Sequence, residues 1–182
     1  MKKIILTAAA VFAFSFDNAQ DSKFGVKGGL SMSSNSEEGA KSLLAFHLGA
    51  FAEFKVSDKF AVQPELLYSA QGAKFSEAGA SSTFNLNYIN IPVMAKFNVA
   101  EAFTLEVGPQ IGFLMSAKAE GVDFKELCNS TDFGLNFGAG YNLSETTSLG
   151  LRYNMGLSDV LKNQVDGSSK NSSIQLSFGY KF

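Results

Sequence analysis

Ten ionisable side chains fall on one parity of short alternating stretches: Lys27, His47, Glu53, Lys55, Glu65, Lys96, Glu106, Asp132, Arg152 and Lys181. Glu53, Glu65 and Glu106 have the residue type for general acid and base work, in which one carboxylate accepts a proton and another donates one. Cations on the same face change that reading. Lys27, Lys55, Lys96, Arg152 and Lys181 oppose four carboxylates, counting Asp132, and charges enclosed together are tolerated when they pair and hydrogen-bond. The expected chemistry is an interior ionic network, joined by Gln63, Gln110, Asn136, Asn154 and Gln175, with no catalytic residue and no cofactor. His47 is the single histidine, which excludes a multi-histidine metal centre and confines any Ser-His-acid arrangement to that one ring. Cys128 is the single cysteine. It precludes an intramolecular disulfide and reads as an incidental thiol in a polar segment.

These side chains must be held by strands. The composition, 18 Phe and 17 Gly against 3 Pro and no Trp, suits many short strands joined by turns, and the chain is too polar for a bundle of membrane helices. Period-two alternation runs through eight segments, whose apolar members begin at Phe24, Leu44, Phe60, Ile89, Phe103, Phe133, Leu149 and Ile174 and end at Met32, Phe54, Ala70, Phe97, Met115, Leu143, Leu157 and Phe182. The apolar parity carries no Asp, Glu, Lys, Arg or His. Turned inward, it would overfill a small barrel with large side chains. Turned outward, each strand presents enough apolar residues for a tilted transmembrane strand of roughly 9 to 11 residues. Closure follows, because an open sheet edge in hydrocarbon leaves backbone groups unpaired at several kcal/mol each.

Connection lengths support the same architecture. Val56 to Lys59, Asn98 to Ala102 and Ser144 to Thr147 are short, whereas the connections near residues 33–43, 72–86, 117–131 and 158–172 are long and serine-rich. Outer-membrane barrels alternate short periplasmic turns with long external loops, and an even strand count puts both termini in the periplasm. Phe54, Phe60, Phe97, Phe103, Phe178, Tyr180 and Phe182 stand where a periplasmic aromatic girdle belongs. The expected fold is an all-β, eight-stranded antiparallel up-and-down transmembrane β-barrel over residues 21–182.

Residues 1–20 read as a signal peptide that is removed: Lys2 and Lys3, an apolar run from Ile4 to Phe16, then Asp17-Asn18-Ala19-Gln20. The run is shorter than the roughly 20 residues a spanning helix needs. Losing Lys2, Lys3 and Asp17 leaves 13 basic and 16 acidic groups, a mild acidity that argues against a nucleic-acid partner. The long connections hold no calcium loop, glycine-rich phosphate cradle or basic aromatic patch.

Several stretches resemble the PorT-like or "outer membrane protein beta-barrel domain" family: Gln63-Pro64-Glu65-Leu66-Leu67-Tyr68-Ser69 with Gln71-Gly72, Asn87-Tyr88-Ile89-Asn90-Ile91-Pro92-Val93, Gly108-Pro109-Gln110-Ile111-Gly112, Arg152-Tyr153-Asn154-Met155-Gly156-Leu157-Ser158-Asp159, and the terminal Phe182. The resemblance implies an outer-membrane barrel similar to the small OmpA or OmpX types, and a last strand like those read by the barrel assembly machinery. The expected role is structural or surface-interacting. The expected partners are outer-membrane lipid and lipopolysaccharide, the assembly machinery during insertion, and a ligand or protein at the loops, with the barrel a monomer. A narrow small-solute or ion channel is the alternative, and a soluble ligand-binding barrel or lipid-modifying enzyme the weaker ones.

Overall fold

The computed structural model describes residues 22–36, 40–77, 80–119, 121–162 and 169–182; the expected signal peptide at 1–20 lies outside them. Eight long strands form the body: β1 (Ser22–Asn35), β2 (Ala40–Ser57), β3 (Phe60–Glu77), β4 (Ala80–Asn98), β5 (Phe103–Ala119), β6 (Thr131–Asn142), β7 (Thr147–Asp159) and β8 (Lys170–Lys181). Each pairs antiparallel with the next, and β1 pairs with β8 from Gly25↔Lys181 to Asn35↔Asn171, so the sheet closes on itself. The chain is an eight-stranded antiparallel up-and-down β-barrel. No helix among the described residues is long and apolar enough to cross a membrane.

Alternation decides the two faces. Leu30, Leu48, Leu151 and Leu176 are 56%, 60%, 55% and 56% exposed on the outside, and monomers in water rarely display so continuous an apolar surface. The other parity turns into the lumen, where Ser31, Gln63, Glu65, Asn90, Gln110, Asn136, Arg152, Asn154 and Gln175 are buried. Phe51, Leu67, Tyr88 and Met94 share that parity and are buried among them. At the end carrying the short turns, rings pair across strands: Phe60 with Phe97 at 5.1 Å and Phe103 with Tyr141 at 5.0 Å between centroids. Such tilted and edge-to-face contacts add to the stabilisation from the area these rings cover.

The long connections depart from expectation. Residues 72–86, read as a loop, are mostly ladder: Gly72 pairs with Asn85 and Glu77 with Ala80, so β3 and β4 extend well beyond the alternating segments that predicted them. Gly72 takes φ +142°, a conformation that L side chains rarely adopt. Its N–H donates to Ser33 Oγ at 2.9 Å, and that hydroxyl donates to the Gly72 carbonyl at 2.8 Å. Alternation also fails near the end of β5. The register slips between Asn87 and Tyr88 opposite Leu114 to Ser116, which buries both Leu114 and Ala117, as a bulge does by placing an extra residue on one strand.

The connection after β5 folds back on the barrel. It turns at Gly121 (φ +88°), pairs Val122 and Asp123 with Ala119 and Lys118, makes a single 3-10 turn at Lys125–Leu127, and bridges Cys128 to Leu161. Cys128 and Val160 pack against Leu86, Tyr88, Leu114 and Ala117 in one apolar cluster, with Phe124 and Leu161 against it. Cys128, within its polar segment, is therefore fully buried at the long-loop end.

Candidate functional site

Inward residues of adjacent strands lie level with one another, and the registers stack the charged ones in the half of the lumen nearer the short turns. Lys96 on β4 is paired in register with Glu106 on β5, Glu106 with Gly138 on β6, and Gly138 with Arg152 on β7. The glycine matters: with no side chain at 138, Arg152 can cross the lumen. It meets Glu65 on β3 in a two-pronged pair, Nη1 to Oε2 and Nη2 to Oε1 both at 2.8 Å, while Nη2 also donates to Glu106 Oε2 at 2.8 Å. A planar guanidinium facing a carboxylate in this fork geometry makes the stronger kind of ion pair.

The cluster continues on both sides. Gln63 donates to Glu65 Oε1 at 2.7 Å and accepts from Lys96 at 3.0 Å. Lys96 donates to Glu53 Oε2 at 2.7 Å, and Lys181 to Glu53 Oε1 at 2.8 Å. Lys27 approaches the two Glu65 oxygens at 3.3 and 3.4 Å. Four cations, Lys27, Lys96, Arg152 and Lys181, thus surround three carboxylates, Glu53, Glu65 and Glu106, with side chains no more than 15% exposed. A cavity of about 30 Å³ lies beside this cluster. Farther along the lumen the contacts become neutral: Asn154 donates to Asn136 Oδ1 at 3.1 Å, Asn136 to Gln110 Oε1 at 3.3 Å, and Asn171 to Gln71 Oε1.

Three of the ten residues expected in the ionic network stand apart from it. Lys55 has the inward parity, but the ladder slips between Lys55 and Ser57 where β2 ends. Its ammonium turns to Asp58 in the adjacent turn at 2.9 Å, and its side chain is 45% exposed, so Lys55 belongs to the rim. That hydrogen bond holds the Asp58 carboxyl below its ordinary range. Asp132 is enclosed, but it lies six residues along β6 from Gly138, roughly 20 Å at the strand repeat. Its Oδ1 has no partner among the described residues. His47 is enclosed as well, yet its Nε2 shares a 2.8 Å hydrogen bond with Ser177 Oγ, not with a charge. Its Nδ1 has no partner among the described residues, so no carboxylate orients the ring as a Ser-His-acid arrangement requires.

Ser177, Thr104 and Ser148, which line the cavity, were not singled out in the sequence; their inward parity was the only available signal. The burial of Cys128 had no local signal, because its bridge partner Leu161 is distant in the chain. Burial there pushes its thiol pKa up, away from the thiolate that reacts. Among the described residues, no group of three or more His, Cys, Asp or Glu side chains converges as metal ligands would.

A family model described as "Outer membrane protein beta-barrel domain" matches residues 18–162. Solved structures of similar fold include Neisserial surface protein A, 16% identical with a TM-score of 0.62 over 90% of this chain and 100% of that one. The attachment invasion locus protein Ail of Yersinia pestis, in complex with the heparin analogue sucrose octasulfate, is 19% identical at TM-score 0.52, covering 90% and 100%. OprG of Pseudomonas aeruginosa is 14% identical at TM-score 0.50, covering 88% and 95%. At these identities the likeness is one of fold. No curated protein matches the chain.

Proposed function

The chain belongs to the outer membrane protein beta-barrel domain family, and from that premise we propose that this outer-membrane barrel serves a structural or surface-interaction role with its lumen closed by side chains. The carrying observation is the Arg152–Glu65–Glu106 cluster, which spans the interior from β7 to β3 and β5 with every bond at 2.8 Å. An eight-stranded barrel has an interior that its own side chains fill, and here the fill is cross-linked. Recording purified protein in planar bilayers tests the reading. The expected trace shows no sustained open state, and a sizeable open-state conductance transfers the protein to the rival class.

That rival, a narrow small-solute or ion channel, is favoured by the cavity of about 30 Å³ beside the cluster. Against it stands the apolar cluster of Leu86, Tyr88, Leu114, Ala117, Cys128 and Val160 at the long-loop end. A soluble barrel would have to keep its apolar belt in water. A lipid-modifying enzyme built on a Ser-His-acid arrangement would have to work through His47, whose only bonded partner among the described residues is Ser177. Assays of deacylase, palmitoyl-transfer and peptidase activity, with His47→Ala as control, are expected to give no activity that depends on the ring.

The same proposal includes the finer features. Residues 1–20 act as a cleaved signal peptide, the short-turn end with both termini faces the periplasm, and the barrel assembly machinery reads the last strand through Phe182. The mature barrel is a monomer, with lipopolysaccharide against its outer belt. The PorT-like stretches support an assignment to that branch of the family. A barrel of this fold that binds a sulfated sugar, as Ail does, supports a role in which the long-loop end meets a ligand.

A further inference from the structure

We propose that the short-turn half of the lumen holds one halide-sized anion, seated between Arg152 and Lys27. Counting the enclosed cluster among the described residues leaves one positive charge without a counter-charge: four cations face Glu53, Glu65 and Glu106. The carboxylates are already committed. Both Glu65 oxygens bind the Arg152 fork, both Glu53 oxygens bind lysines, and Glu106 is shared between Arg152 and Lys96. Lys27 is left with contacts of 3.3 and 3.4 Å to a carboxylate that Arg152 holds more tightly. The next enclosed carboxylate among the described residues, Asp132, is roughly 20 Å away along its strand.

A second observation places the guest. Arg152 and Lys27 both line the cavity of about 30 Å³, together with Glu106, Ser177, Thr104 and Gly150. A Cβ at Gly150 would meet only the Ser177 Cβ at 3.9 Å, so the glycine leaves the space open. A single water needs roughly 10–15 Å³, so a monatomic anion fits, whereas a sugar or nucleotide does not. Water alone brings no charge, and an enclosed charge without a counter-ion is strongly disfavoured. A halide supplies that charge: it accepts from the Lys27 ammonium and from a hydroxyl, and it balances Lys27.

The test uses the full mature barrel in neutral detergent. Thermal unfolding is followed by circular dichroism in sodium chloride, sodium bromide and sodium gluconate at equal ionic strength. The expected result is an upward shift in Tm that saturates with chloride or bromide and is absent with gluconate. Lys27→Met restores three cations to three carboxylates while leaving the Arg152–Glu65 fork in place, and it is expected to abolish the halide-specific shift. Anomalous diffraction from wild-type crystals grown in bromide needs no variant and is expected to give one lumenal peak beside Arg152. Equal Tm in halide and gluconate, a halide shift that survives Lys27→Met, or bromide crystals without a lumenal peak would each overturn the proposal.

Discussion

Replacing Glu65 with glutamine isolates the contribution of the ionic cluster to stability. The Glu65 side chain is fully enclosed and accepts from Arg152 twice, from Gln63 and from Lys27. Glu65→Gln keeps the volume and removes the charge, which raises the excess positive charge in the cluster from one to two. Removing one partner of a buried pair costs about 3–5 kcal/mol, because the other charge is left enclosed. Arg152 keeps its 2.8 Å bond to Glu106, which puts the expected loss at the lower end, about 3 kcal/mol. With a urea slope of about 2 kcal/mol/M, that lowers the unfolding midpoint by about 1.5 M. The chain contains no tryptophan, so the titration is read by circular dichroism and by heat-modifiable gel migration of barrels refolded in vesicles. The double variant Glu65→Leu with Arg152→Met replaces the pair by apolar groups and is expected to recover most of the loss. A Glu65→Gln penalty below about 1 kcal/mol, or a double variant as unstable as the two single losses summed, would show that the cluster is not the coupled unit inferred from its geometry.

Other perturbations probe the remaining parts of the barrel. Leu151→Arg puts a cation on the outer belt, where Leu151 is 55% exposed, and is expected to cost about 2–4 kcal/mol if the site lies at the bilayer midplane; spin labels at Leu135 and Leu151 should report hydrocarbon, and those at Asn136 and Arg152 a shielded polar interior. Gly29→Ala drives a Cβ onto the Leu176 carbonyl and should lower stability by about 1–3 kcal/mol in the same urea titration. Cys128 in the folded barrel should react with a maleimide at least roughly tenfold more slowly than in urea, since burial raises its thiol pKa; equal rates would place the cysteine outside the apolar cluster. Lys55→Ala should leave the urea midpoint unchanged, because a surface pair such as that with Asp58 adds little.

The barrel was legible because one physical rule, period-two alternation with every charge on one parity, repeats through the eight alternating segments. Glu53, Glu65, Lys96, Glu106 and Arg152 were found by parity alone, since side chains of one parity in a closed eight-stranded barrel have only each other to meet. Parity fixes the face but not the level. It therefore could not separate Asp132, far along β6, from the cluster at the Arg152 level. It also fails wherever the ladder slips, and this is how Lys55 was misplaced beside Ser57. The reach of β3 and β4 through residues 72–77 and 80–86 was hidden by serine, alanine and glycine, which resemble loop. Pairing between the two strands stabilises what their composition does not. The burial of Cys128 depends on Leu86, Leu114 and Val160, contacts too distant in sequence for any local signal.

The seam between β1 and β8 has a further consequence for how the chain is assembled. Lys181 reaches Glu53 across 128 positions and Arg152 reaches Glu65 across 87, so contacts that neutralise the early strands are supplied by the late ones. Until β7 and β8 arrive, Glu53 and Glu65 face a partly built lumen without these two cations, and the two free edges remain unpaired. Insertion should therefore be cooperative and slow, as expected when long-range contacts dominate, with the last strand acting as a checkpoint that only a complete chain can pass.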